Sequence, residues 1–232
     1  MSPFRSPNHK SQATRTTPMS RSGCLVVFLI PPAVIIVIGF VILITTGQPK
    51  PQPASQPYGP GATAQPGVLA PFFSKPVQFW GRSIQQWAKQ WDLNANLIAT
   101  VMQIESCGDP EAISKAGAAG LFQVMPFHFK EGENPIDPET NALRGLTYLK
   151  RSLDLANGDI RQALAGYNGG IGLIGIDETQ WPTESVQYAY WGNGIYQEAQ
   201  QAAAQSKTLT EWLNQGGAHL CAQARMRLGI QN

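Results

Sequence analysis

The chain has 232 residues, 43% hydrophobic and 14% charged, with a formal net charge of +2, enough for one domain of ordinary size plus further segments. The charge is unevenly placed. Residues 1–91 hold eight Lys or Arg and no Asp or Glu, while residues 92–232 carry a net charge of −6, and an acidic body argues against nucleic acid as a partner, since phosphate binding needs clustered Lys and Arg.

Residues 1–23 are polar, rich in Ser, Thr and Pro, and carry Arg5, Lys10, Arg15 and Arg21. They bury too little apolar surface to fold, so a disordered tail is predicted. Residues 24–46, from Cys24 to Thr46, are an uncharged run of 23 residues. At about 1.5 Å per residue the run spans a hydrocarbon core of roughly 30 Å. Its basic flank comes first, which predicts one transmembrane helix with a cytoplasmic N-terminus and an extracytoplasmic body. The alternative is a cleaved signal peptide, whose apolar stretch is usually about 7–15 residues with a small-residue site close behind. Here the nearest such site, Ala62-Thr63-Ala64, lies well past the run. Pro31-Pro32 is expected to kink or break the membrane helix. Residues 47–76 hold eight prolines among Gln, Gly, Ala and Ser, a composition that favours an extended, semi-stiff linker.

From residue 77 the chain reads as helix after helix. Trp80, Ile84, Trp87 and Trp91 recur at helical spacing, as a core face or as a sugar-stacking surface. Asn94 is placed to cap a helix from Ala95 to Glu105 that stops at Gly108. Gly117 to Gly120 form a small-residue loop before a short helix limited by Pro126. Asp137-Pro138 is a strong helix start. Leu143, Leu146, Leu149 and Leu153 then share one face, and Asn157-Gly158 ends the run. Asp159 caps a helix through Tyr167, closed by Gly169-Gly170. Thr183 opens a long helix to about Gln205, and Thr208 with Glu211 has capping-box spacing for a last one. No segment alternates with period two, so the fold class is mainly α.

One residue stands out on chemical grounds. Glu105 ends an apolar helix, with Val101 and Leu97 four and eight residues earlier on the same face, which reads as the buried face of an amphipathic helix. Burial there disfavours the charged form and raises the carboxyl's pKa, as a general acid near neutral pH requires. A Glu that reaches solvent or pairs with a base is equally compatible with the position.

Four pieces of the region from about residue 88 to 200 resemble the soluble lytic transglycosylase family, which is related to goose-type lysozymes. They are Glu105-Ser106 at a helix end; Gly120-Leu121-Phe122-Gln123-Val124-Met125-Pro126, with Phe122 where the family has Met; Ala165-Gly166-Tyr167-Asn168-Gly169-Gly170; and Glu184-Ser185-Val186-Gln187-Tyr188. The stretch from Asn141 to Leu149 is also similar. Each is weak alone; four in order are specific. The resemblance implies a lysozyme-like helical catalytic domain over residues 77–206, after the transmembrane helix and Pro-rich linker read above. Residues 207–232 fall outside the family motifs, and Glu211-Trp212-Leu213 with Leu220, Met226 and Leu228 suggests a C-terminal helix docked on that domain. It implies cleavage of the β-1,4 bond between N-acetylmuramic acid and N-acetylglucosamine in peptidoglycan, leaving a 1,6-anhydro sugar. A single carboxylate, Glu105, would act as acid and then as base, where most glycosidases use two. Ser106, Gln123, Tyr167, Asn168 and Tyr188 would bind substrate or reach Glu105; structural roles are the alternative for each. Asp109 and Glu111, beyond Gly108, read as solvated turn and cap residues.

Peptidoglycan glycan strands are thus the expected partner, with the membrane engaged through residues 24–46. No cofactor is expected, and His9, His128 and His219 are isolated, with no metal-ligand spacing. Cys107 and Cys221 both fall on the predicted outer side, where disulfides persist; they are either bonded or two buried thiols. Two functional alternatives stay open: a muramidase that hydrolyses the same bond, and a non-catalytic wall-binding module.

Overall fold

A computed structural model of the chain describes residues 69–231. The expected tail, membrane run and most of the linker lie outside the described residues. Those described are mainly helical: α1 (Lys75–Phe79), α2 (Gly81–Trp91), α3 (Ala95–Glu105), α4 (Pro138–Leu155), α5 (Ile160–Gly169), α6 (Thr183–Gln200), α7 (Lys207–Trp212) and α8 (Ala218–Arg227). The only β-type pairings among them are isolated bridges, Ile113 to Ala119 and Ala119 to Val124. No helix among them is long and apolar enough to cross a membrane.

The central element is α3. Asn94 caps it by accepting the Asn96 N–H at 2.9 Å, which satisfies one of the donors a helix start leaves free. Every residue from Leu97 to Ile104 is buried. It is therefore enclosed on all sides rather than amphipathic, with α1, α2 and α6 packed against it. Long α4 and α6 start as expected at Asp137 and near Thr183, and Asp137 accepts the Thr140 N–H. Leu146 and Leu149 supply the buried stripe of α4. The tryptophans are core: Trp80 and Trp87 are buried, and their ring N–H groups donate to the Gly108 carbonyl and to Glu139. That leaves no stacking surface at those two rings.

Three expectations are corrected. The packed body begins before residue 77, because Ala70 and Phe73 are buried and the Ala70 N–H donates to Asn96 Oδ1 at 3.0 Å. The α6 helix ends at Gln200 rather than Gln205. The cap of α7 is Ser206, not Thr208: the Ser206 hydroxyl oxygen accepts the Leu209 N–H at 2.8 Å. Thr208 instead donates to Glu198 near the end of α6, so that the α6–α7 turn is held by one carboxylate.

The segment after α7 kinks at Gly216, whose φ is +118°, before α8 begins at Ala218. Cys221 and Ala224 are the buried residues of α8. The Cys107 and Cys221 sulfurs lie at bonding distance, with the two Cα atoms 5.0 Å apart. The buried Gln103 of α3 donates its amide to both sulfurs, at 3.1 and 3.3 Å. A ring of contacts thus fixes α8 next to the end of α3.

Candidate active site

Glu105 is the last residue of α3. Beyond it the chain turns sharply: Ser106 closes the helix, and Cys107 and Gly108 take positive φ angles of 53° and 85°. That reversal sends residues 109–125 back across the helix end and forms a cleft around the carboxyl. The Tyr188 hydroxyl, from α6, donates to Glu105 Oε1 at 2.8 Å. Burial pushes the Glu105 carboxyl up to about 8; the Tyr188 hydrogen bond opposes this and the nearby Glu184 charge adds to it. The same burial, with the Glu105 charge, holds Tyr188 well above the ordinary tyrosine range. Tyr188 is therefore a fixed donor, and Glu105 is a carboxyl still largely protonated at neutral pH.

Gln123 lines the same cleft as Glu105, on a tightly built loop. Its φ is +44°, and its amide nitrogen donates to the Ala112 and Gly120 carbonyls at 3.1 and 3.0 Å. With both amide hydrogens committed, the side-chain carbonyl oxygen is the group left to meet a ligand. The loop is anchored by buried Asn141 of α4, which accepts the Phe122 N–H at 2.9 Å and donates to the Ala119 carbonyl at 2.7 Å. Two glycines permit the approach. A Cβ on Gly120, whose φ is +76°, would sit 2.4 Å from Asn141 Nδ2, and one on Gly145 would sit 2.6 Å from Phe122 Cβ. Both contacts are too short for any other residue without movement of the loop.

The remaining expected site residues divide. Tyr167 lines the cleft with its ring, while its hydroxyl donates to the Phe122 carbonyl at 2.8 Å. Asn168 also lines it and accepts from Ser185 at 2.9 Å. Ser106 does not reach it. It is 1% exposed, donates to the Leu121 carbonyl at 2.8 Å and accepts the Gly108 N–H at 3.0 Å, so it holds the chain reversal together. The serine that lines the cleft is Ser114. Asp109 also departs from expectation: it is 5% exposed and lies 3.5 Å from Arg227 of α8.

Sequence reasoning passed over His128, Tyr148 and Glu184, all of which line the cleft beside Glu105. His128 and Tyr148 rings stand 4.8 Å apart, and Tyr148 lies 5.8 Å from Tyr167. This aromatic row suits the apolar faces of sugar rings. Burial lowers the His128 pKa. The available signal was position: Tyr148 lies within the family-like stretch from Asn141 to Leu149, and Glu184 opens the family-like stretch that ends at Tyr188.

Residues 82–188 match the family described as transglycosylase SLT domain. A transglycosylase of Enterobacteria phage PRD1 is 34% identical over 111 residues, 47% of this chain and 40% of that protein. A membrane-bound lytic murein transglycosylase C of Photorhabdus laumondii subsp. laumondii is 31% identical over 111 residues, 39% of this chain and 31% of that protein. The chain thus spans less than half the length of either relative. An inactive mutant of the lytic transglycosylase Slt from Pseudomonas aeruginosa aligns in structure with a TM-score of 0.41 and 25% identity, covering 53% of this chain and 24% of that one. Glu105, Gln123, Tyr167 and Tyr188 all fall within the matched segment, so these residues lie in the part of the chain that is similar to the transglycosylase SLT domain.

Proposed function

We propose that the chain is a peptidoglycan lytic transglycosylase, with Glu105 as its single acid and base. The observation that carries this is the Glu105 carboxyl, raised to about 8 and held by Tyr188 at the base of a cleft. Glu105 donates its proton to the glycosidic oxygen as the bond from the muramyl anomeric carbon to that oxygen breaks. The resulting carboxylate takes the proton of the muramyl 6-hydroxyl as that oxygen bonds to the anomeric carbon. Proton and bonds balance, no water is consumed, and Glu105 ends protonated. Gln123 presents a carbonyl oxygen to the sugar or its N-acetyl group, and the His128–Tyr148–Tyr167 row takes ring faces. The uncharged run of residues 24–46 and its basic flank support a membrane tether, with the catalytic domain outside the cytoplasm. The name of one relative, membrane-bound, agrees with this.

Hydrolysis of the same bond is the second reading, and Glu184 is what favours it. This carboxylate lines the same cleft and its charge acts on Glu105, so it is the candidate for activating a water. The test is digestion of purified peptidoglycan by the full-length chain, with released muropeptides read by mass spectrometry. Products lighter by one water than reducing sugars, absent with Glu105→Gln, are the expected result. Reducing-end products lost in Glu184→Gln would make the chain a muramidase. Wall binding with no products would make it a binding module.

A pH profile separates the role of Tyr188 from mere packing. The active form of the free enzyme carries protonated Glu105, so kcat/KM is expected to be level below about 8 and to fall tenfold per pH unit above it. Tyr188→Phe removes a hydrogen bond that favours the charged carboxylate. The alkaline limb is therefore expected to move to higher pH while the plateau drops by about 10- to 100-fold, the range set by a charge-assisted hydrogen bond of roughly 1.5–3 kcal/mol. An unmoved limb would leave Tyr188 a packing residue.

A further inference from the structure

The cleft has two arms that meet at Glu105, Ser114 and Gln123. One is the aromatic arm of about 320 Å³ beside α4 and α5. The other, of about 980 Å³, lies between residues 109–114 and α8 and shares only those three residues with the first. Leu220, Gln223, Met226 and Arg227 of α8 form its outer wall. All four lie beyond residue 188, outside the SLT match.

We propose that α8 is a wall of the substrate cleft, and that the arm it lines holds the glycan on one side of the bond broken at Glu105. A strand whose internal bond sits at Glu105 must leave the site in both directions, and the two arms are the two exits. The α8 arm has the size of sites that enclose multi-ring ligands, roughly 300–1,000 Å³. Its ionic groups are paired with each other: Arg227 lies 2.7 Å from Glu111 and 3.5 Å from Asp109. The lining left for a ligand is apolar or uncharged. Ile113 on one wall is 63% exposed and Met226 on the other 76%, which matches the C–H faces of uncharged sugars, while the Gln223 amide suits an N-acetyl group. The wall is firmly placed, since Cys221 lies against Cys107 two residues from Glu105 and Arg227 ties the helix end to the opposite loop.

The proposal rests on the glycan-cleaving reading, and its test keeps the two apart. Full-length chains carrying Gln223→Trp or Ala218→Trp are compared with the unaltered chain. Both positions are exposed, so neither change disturbs the core. Ala218 lies about 140° around α8 from Gln223, off the arm. The measurements are KM on peptidoglycan and, in the Glu105→Gln background, the Kd of chitotetraose by calorimetry. Gln223→Trp is expected to raise both by tenfold or more, and Ala218→Trp to leave both within twofold. Unchanged values in Gln223→Trp, or equal rises in both variants, overturn the proposal. If the unaltered chain cleaves no peptidoglycan, the enzymatic reading fails, and the chitotetraose comparison alone then decides the role of α8.

Discussion

Replacing Glu105 by Gln is expected to lower turnover on peptidoglycan by about 10²- to 10⁴-fold, the usual contribution of a positioned acid–base group. The same change is expected to make the protein more stable at neutral pH. The Glu105 carboxyl ionises near 4.5 in the unfolded chain and about 8 in the folded one. Between those values the folded state holds a proton that the unfolded state has released, so stability falls as pH rises. The penalty is absent below pH 4.5, reaches about 3 kcal/mol at pH 7 and levels off above pH 8, at about 1.4 kcal/mol per unit of pKa difference. Gln carries no charge, can still accept the Tyr188 hydrogen bond, and escapes the penalty. The melting temperature of Glu105→Gln is therefore expected to exceed that of the unaltered chain by several degrees at pH 7.5, with the gap closing near pH 4. A constant gap across that range would mean that Glu105 is already charged in the folded protein. Loss of activity without the pH-dependent gain would separate catalysis from the burial that tunes it.

The second large effect is expected at Cys107 and Cys221. We propose that they form a disulfide in the extracytoplasmic protein, closing a loop with a sequence separation of 114. In the chain-entropy view a closed loop of that size contributes about 4–5 kcal/mol by restricting the unfolded state. Changing both residues to Ala is expected to lower the denaturant midpoint of the oxidised protein by a corresponding amount. Reductant is expected to do the same to the unaltered chain and nothing to the variant. Thiol titration in denaturant supplies the direct check, because the chain has three cysteines in all. One free thiol before reduction and three after is the expected count; three in both would leave Gln103 donating to two separate thiols. Because α8 is one wall of the proposed glycan cleft, reduction is also expected to raise KM more than it lowers kcat.

Much of the helical framework was legible because its signals are local. Asn94, Asp137 and Asp159 each accept a backbone N–H two or three residues on, and such caps are written in short stretches of chain. The position of Glu105 at the end of an apolar run was legible for the same reason. Misread residues were those whose role depends on distant partners. Asp109 beyond a glycine looks solvated until Arg227, far along the chain, is folded against it. Thr208 and Glu211 have the spacing of a cap, yet Glu198 and Tyr190 on the preceding helix claim their side chains.

The sequence by itself determined that this is a helical domain with one acidic residue at the end of its most apolar helix, because periodicity, capping and burial of a run act over one to three turns. Tertiary structure alone decided which serine meets the cleft, that His128, Tyr148 and Glu184 join Glu105 there, and that the last helix walls one arm. Each of these depends on where the chain is sent after the positive-φ turn at Cys107 and Gly108, and on packing between residues far apart in sequence. A spacing rule that spans one turn of helix carries no information about either.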